Sequence, residues 1–342
     1  MSQLPAFPIA LQTLYAELLD QLQLAQIGDL PAGTTFRKRR LSERDYWYAQ
    51  PPTGPNGRSK ELYLGPDTPE LATLISQTKE AGVARKARRS IVRSLLSAGY
   101  FALDALTGDL VDALAKAGLF RMRGILIGTS AFQAYGPLLG LRLPGAAVRT
   151  ADLDLAQDYG VSLALGETID PLMLEALQSV DPSFRAIPDT FNPALPLAYV
   201  NADQFRVDVL TTNRGAPSRS GSALPSLGTG AVALRFLDFL LRDPVEAALL
   251  HRSGVLVSIP SPARYAVHKL IGAIDRKGPG AIKAAKDIAQ AEILIQALTQ
   301  GRRQDELLEV WEEALGRGEG WRTRLIKGHA RLRDQTRALL PL

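Results

Sequence analysis

Two stretches of the chain alternate polar and apolar residues one for one: Asp152–Ala156 (DLDLA) and Phe205–Thr212 (FRVDVLTT). A period of two is the pattern of a β-strand with one buried face. A third short apolar run, Gly124–Gly128 (GILIG), is bounded by glycines and suits a buried strand. Helical periodicity flanks these strands on both sides. The arrangement predicts an α/β (α+β) fold: a small mixed sheet of about four or five strands with helices packed on it.

The chain has 342 residues, room for roughly two domains of ordinary size. Residues 6–28 repeat Leu11, Leu14, Tyr15, Leu18, Leu19 and Leu22 at helical spacing. A basic cluster, Thr35–Arg40, leads into RDYWYAQ, a turn-rich PPTGPNGRSK and ELYLGP, which read as a β-hairpin. Tyr46, Tyr48 and Tyr63 share one face of it and Trp47 takes the other. Residues 69–118 return to helical periodicity. A Pro-rich connection (Pro182, Pro188, Pro193, Pro196) joins the two alternating strands, and Arg214–Gly230 reads as a loop. VLVSIP is a strand before a helix with Ser261 as N-cap and Pro262 in its first turn. The rest is helical, with breaks at 278–280, Gly301 and 316–318. The expected organisation is an N-terminal helix/β-hairpin accessory lobe (1–118), a mixed-sheet core (119–260) and a helical C-terminal region (261–342).

Composition removes several chemistries. With no cysteine, the chain has no disulfide framework, thiolate metal cage or cysteine nucleophile. His251, His268 and His329 are too few and too dispersed for a histidine-built zinc site. Met1–Gln21 carries no positive segment ahead of its apolar stretch, so it does not read as a signal peptide. The uncharged run Gly124–Leu141 splits into strand, turn and helix instead of a membrane span. A cytoplasmic protein without membrane contact is the expectation. A net charge of +5 fits a polyanionic partner without requiring one.

Three features carry chemistry, in order. Gly128-Thr129-Ser130 ends a strand and opens a helix. Such a turn lets backbone amides and hydroxyls approach a phosphate closely. Asp152 and Asp154 lie at i and i+2 on a strand and project to the same side, with Leu153 opposite. Like charges so placed repel unless a cation sits between them, and hard carboxylate oxygens suit Mg²⁺. Asp208, alone in RVDVL, supplies a third acid. Each piece by itself also fits surface acids or an ordinary turn. Their sequence on apolar strands is what points to a site.

GTSAF, then T-x-DLDLA, then RVDVL resembles the nucleotidyltransferase superfamily that includes DNA polymerase beta. Within it the sequence looks closest to AbiEii-type toxins and related bacterial nucleotidyltransferase-like proteins. Arg264, Lys269, Lys286 and Asp287 follow in the order of the later helices of those toxins. The likeness covers roughly 120–298. Two departures stand out: the turn reads Gly-Thr-Ser, and the step from Gly128 to Asp152 is longer than in compact members. The resemblance implies that Asp152, Asp154 and Asp208 bind Mg²⁺ or Mn²⁺ and carry catalysis. It implies that Gly128, Thr129 and Ser130 cradle the phosphates of a nucleoside triphosphate such as ATP, with Lys269 first and Lys286 second for its charge. It also implies an antitoxin-type protein partner, as in toxin–antitoxin pairs.

On that reading the chain transfers a nucleoside monophosphate to an acceptor hydroxyl, releasing pyrophosphate. The basic segments make an RNA acceptor, such as a tRNA 3′ end, the leading expectation. Arg37, Lys38, Arg39 and Arg40 form one, Arg85, Lys86, Arg88, Arg89 and Arg93 a second, and Arg322–Arg337 a third. The bland alternative for such runs is a solvated helix face. A protein or small-molecule hydroxyl is the second expectation, and a catalytically silent nucleic-acid-binding module on the same scaffold the third. For Asp287 the bland alternative is a pair with Lys283, four residues earlier. For His268 and Tyr135 it is burial.

Overall fold

The computed structural model describes residues 3–28, 34–41, 44–50, 61–76, 81–145, 152–213, 220–276 and 281–342. The chain opens with α1 (Ile9–Gly28), β1 (Thr35–Leu41), β2 (Arg44–Gln50), β3 (Leu62–Pro66), α2 (Pro69–Ser76), α3 (Ala81–Ser97) and α4 (Ala105–Ala117). Its middle carries β4 (Ile125–Leu126), α5 (Gly128–Leu139), β5 (Asp152–Gln157), α6 (Tyr159–Ala164), α7 (Met173–Gln178), β6 (Arg185–Pro188), β7 (Pro196–Val200) and β8 (Arg206–Thr212). There follow β9 (Ser222–Leu224), β10 (Thr229–Leu234), α8 (Leu237–Leu240), β11 (Val245–Leu249) and β12 (Val255–Ile259). The chain closes with α9 (Pro262–Asp275), α10 (Ala281–Gln300), α11 (Gln304–Gly316), α12 (Glu319–His329) and α13 (Asp334–Arg337). The fold is mixed α/β. No described helix is long and apolar enough to cross a membrane.

The central sheet has seven strands, ordered β4-β5-β8-β10-β9, with β7 also on β8 and β6 beyond it. It is larger than the four or five strands expected. Strand β8 is the hub. β5 runs parallel along one side of it. The other side is shared by β7 along Arg206–Asp208 and β10 along Leu210–Thr212. The additional strands come from the segments read as a Pro-rich connection and a loop. Pro188 and Pro196 oppose each other at the irregular end of the β6–β7 pair. At a strand end a proline removes no ladder bond from the interior. Ser222–Leu224 and Thr229–Leu234 pair as β9 and β10 around Gly228, which takes the left-handed conformation (φ 59). Within the expected loop, 214–219 lies outside the described residues.

The N-terminal sheet also differs from a simple hairpin. The basic run is itself a strand, pairing Arg37 with Tyr48 and Arg39 with Tyr46, so the sheet is β1-β2-β3. The turn expected at 51–60 lies outside the described residues. Tyr63 packs against both Tyr46 and Tyr48 on one face. Trp47, on the other, donates to Asp67 (2.7 Å).

Two apolar clusters join most of the helices to the central sheet and to the β11–β12 pair. One cluster extends from Leu4 through Leu110 and Leu114 of α4, the central sheet and α9–α11 to Leu340. A smaller one joins Leu18 and Leu22 of α1, Val92 and Leu95 of α3, and Ala248 and Leu256 of the β11–β12 pair. Ser261 caps α9, accepting from the Arg264 amide (3.3 Å), with Pro262 in the first turn. This sets the direction in which α9 leaves the sheet and crosses the mouth of the glycine turn. The break expected at 278–280 lies outside the described residues.

Candidate active site

Strand alternation puts Asp152 and Asp154 on one side of β5, while Leu153 and Leu155 on the other are fully buried. The parallel register sets Asp154 directly opposite Asp208 and Asp152 opposite Arg206. Residues 54 positions apart along the chain thus become neighbours across one ladder. Asp208 Oδ1 accepts from Arg206 Nε (2.6 Å).

The glycine turn meets the same edge. The Ile127 amide donates to the Asp154 carbonyl oxygen (3.0 Å), continuing the β4–β5 ladder to the start of α5. Gly128 follows in the left-handed region (φ 66). A Cβ at this position would collide with Asp154 Oδ2. Only glycine both adopts this φ readily and leaves the carboxylate its space. Tyr265 on α9 donates to the Gly128 carbonyl oxygen (2.8 Å), fixing the turn from the opposite wall.

Burial pushes the Asp154 carboxyl up to about 6, and the Asp152 and Asp208 carboxylates add to the rise against the pull of Lys269 and Lys283. A carboxylate that is costly to ionise beside two others is a site in search of positive charge.

Cations surround it. Lys286 Nζ on α10 donates to Thr129 Oγ1 (3.0 Å). Its own pKa is pushed down, by burial first and then by Lys269. Lys283, one turn earlier on α10 and well exposed, stands 4.0 Å from Asp152. Lys269 on α9 is ion-paired with buried Asp287 (2.6 Å), which also accepts from Arg276 (2.5 Å).

The structure therefore gathers Gly128, Thr129, Asp152, Asp154, Asp208, Lys269 and Lys286 about one sheet edge. Ser130 is turned inward, 1% exposed, and its Oγ has no hydrogen-bond partner among the described residues. Asp287 does not pair with Lys283 as the four-residue spacing suggested. It lies buried between α9 and α10, and the nearer cations there are Lys269 and Arg276. Arg264 lies elsewhere, on Glu313 (2.8 Å) and Asp243 (3.1 Å). His268 is pushed down to about 4 by burial and by Lys269, and so is neutral at physiological pH. Tyr135 is fully buried and donates to the Pro260 carbonyl oxygen.

The basic segments do not join this edge through any described contact. Lys38 pairs with Asp67 (2.6 Å) and Arg39 with Glu61 (2.5 Å). Arg85, Lys86 and Arg89 are exposed on α3. Arg88 departs from the expected row of outward cations: it is 3% exposed, because the inner face of α3 packs towards α1.

Sequence reading missed Lys283 and Tyr265 as members of the site. Lys283 lies three residues before Lys286, which on a helix is the same face. Tyr265 lies four before Lys269 and shares its face in the same way.

The donor set is three carboxylates of hard oxygen, the kind Mg²⁺ or Mn²⁺ takes. Among the described residues no three acidic or histidine side chains close into a ligand cage. Arg206 pairs with Asp208 and Lys283 stands beside Asp152. Gly128 opens α5 directly beside these carboxylates, a setting that fits a cation-bound phosphate at the helix N-terminus.

A family profile described as nucleotidyltransferase matches residues 105–316, well over half of the chain, from the start of α4 to the end of α11. Every residue of the edge described above falls within it. No curated protein and no solved structure matches the chain.

Proposed function

The chain belongs to this nucleotidyltransferase family, and from that premise we propose that it transfers a nucleoside monophosphate from a triphosphate to an acceptor hydroxyl, in a divalent-cation-dependent reaction. The observation that carries the reading is the register of Asp154 against Asp208, with Asp154 filling the space beside Gly128. Asp152, Asp154 and Asp208 would hold Mg²⁺, or Mn²⁺ in its place. The cation would supply neutralisation of the triphosphate and of charge building on the leaving oxygen.

The rest is done by the chain's own groups. The first amides of α5 point towards bound phosphate oxygens, and the helix dipole favours them. Lys286 holds the Thr129 hydroxyl at the turn. Lys283, paired only loosely with Asp152, is free to swing to phosphate. Lys269, locked by Asp287, acts as a fixed positive wall instead of a moving contact. Asp208 is placed to receive the proton of the attacking hydroxyl once Arg206 releases it.

An RNA 3′ end, such as that of tRNA, is the acceptor we propose. The basic strand Arg37–Arg40 and the basic C-terminal segment Arg322–Arg337 support it, since phosphate contacts by Lys and Arg supply sequence-independent affinity. The likeness to AbiEii-type toxins supports a neutralising protein partner. Incubation with α-labelled triphosphates, Mg²⁺ and total RNA tests the reading. Label on RNA that disappears with Asp154→Asn is expected. Label that persists in that variant removes these acids from the mechanism, and label on a protein band instead replaces the acceptor.

A further inference from the structure

A second basic site lies away from the acidic edge. A cavity of about 470 Å³ opens between α1, α3, α4 and the turn joining β11 to β12. Six cations line it: Arg85, Arg88 and Arg89 from α3, Lys116 from α4, Arg121 just after it and Arg252 from the turn. The nearby acids are already engaged. Asp112 is paired with Lys116 (2.7 Å) and Asp109 with Arg252 (2.7 Å). Arg85 and Arg89 form no ion pair with any described residue.

This arrangement is costly when empty. Arg85 stands three and four residues before Arg88 and Arg89, the spacings at which like charges destabilise a helix. Arg88 is 3% exposed and lines the inner wall of the recess. Burial lowers the Arg121 pKa, with the Glu167 carboxylate opposing. Gly118, at φ 98, makes room for that side chain: a Cβ there would stand 2.8 Å from Arg121 Nη2. Forked guanidiniums converging on a partly apolar recess match the oxygens of phosphate.

We propose that this cavity binds a small free oligophosphate, such as the tail of a nucleotide. A recess of this volume is of ligand size. Its aromatic wall, Phe120, is 9% exposed and gives bases no stacking platform, which favours a compact anion over single-stranded nucleic acid. The site is distinct from the acidic edge. Strand β12 begins at the cavity, at Val255, and runs to α9, whose Tyr265 holds the glycine turn. The five residues of β12 alone separate the two ends by roughly 13 Å. The inference is independent of the transferase reading.

Calorimetric titration of the full chain with inorganic tripolyphosphate in EDTA tests it, because without divalent cations the three carboxylates repel the probe. One-to-one binding is expected, accompanied by a rise in Tm. Arg85→Ala combined with Arg89→Ala, both at exposed helical positions that accept alanine, should weaken it at least tenfold. Asp154→Asn should leave it unchanged. Absence of binding overturns the proposal, as does equal binding by the double variant, loss in Asp154→Asn, or equal binding of sulfate at matched ionic strength. Displacement at equal or better affinity by an RNA lacking terminal phosphates makes nucleic acid the occupant and overturns the small-anion assignment.

Discussion

Gly128 and Asp154 share one volume: the space where a side chain would start on the first is filled by the carboxylate of the second. Gly128→Ala therefore forces a strained φ and a collision together. We expect a stability loss of about 2 kcal/mol and loss of transferase activity. In an Asp154→Ala background the collision disappears, so the same substitution should cost only about 1 kcal/mol. A double-mutant cycle by urea unfolding measures the coupling. Equal costs in both backgrounds would show that the two residues do not compete for space.

The raised Asp154 pKa has a stability consequence with a definite sign. Its folded value, about 6, lies above the ordinary 3.8, so the folded chain holds the proton more tightly than the unfolded one. The resulting stabilisation is full below pH 3.8 and is lost as pH rises through about 6. Asp154→Asn removes the penalty, and at pH 8 the variant should be more stable by about 2 kcal/mol while losing activity. Tm measured against pH for both proteins checks this. Parallel curves from pH 4 to 8 would refute it.

Saturating Mg²⁺ should raise the Tm of the parent chain, more at pH 8 than at pH 5, because Asp154 must be ionised to take the cation. EDTA should reverse the rise, and Asp152→Asn combined with Asp154→Asn should abolish it. A Mg²⁺ effect that survives in that double variant places the cation elsewhere.

Lys283 is exposed, so Lys283→Ala should change stability by less than about 0.5 kcal/mol. Its effect should appear in the KM for triphosphate, raised several-fold with kcat nearly kept, because the contribution is to ground-state binding. Lys286→Ala should raise KM and lower kcat together, since it also frees the Thr129 hydroxyl. Steady-state kinetics separate the two, and the reverse pattern would exchange their roles.

Asp287 is a buried hub for two cations. Removing its charge leaves Lys269, itself largely buried, without its counterion. Asp287→Asn should cost about 3 kcal/mol or more. Denaturant unfolding reads this directly. A cost under about 1 kcal/mol would mean that Lys269 finds another partner in the acidic edge.

Much of this site was legible because strand geometry is strict. The i, i+2 spacing of Asp152 and Asp154 sets their common side whatever the rest of the fold does. Gly-Thr-Ser at the end of GILIG marked where a helix would open. The pairing of Asp154 with Asp208 had no local signal: it depends on which strand neighbours which, and the intervening β6 and β7 were masked by prolines that look like loop residues. The charge assignments failed in a similar way. Lys283 and Asp287 are correctly spaced for a helical pair, yet neighbouring elements offer each a better partner, Asp152 for one and Lys269 with Arg276 for the other. Arg88 reads like its flanking arginines, and only the packing of α3 on α1 turns it inward.

The parallel neighbour relation of β5 and β8 has a bearing on when the three acids can come together. Contacts between such distant segments form late, after a costly loop closure. A chain halted before Asp208 owns two of the acids but has nowhere to assemble them, and one halted before α10 lacks Lys283 and Lys286. Chains cut short of α10 therefore lack the assembled edge, which forms only once the segments from β5 through α10 are all present.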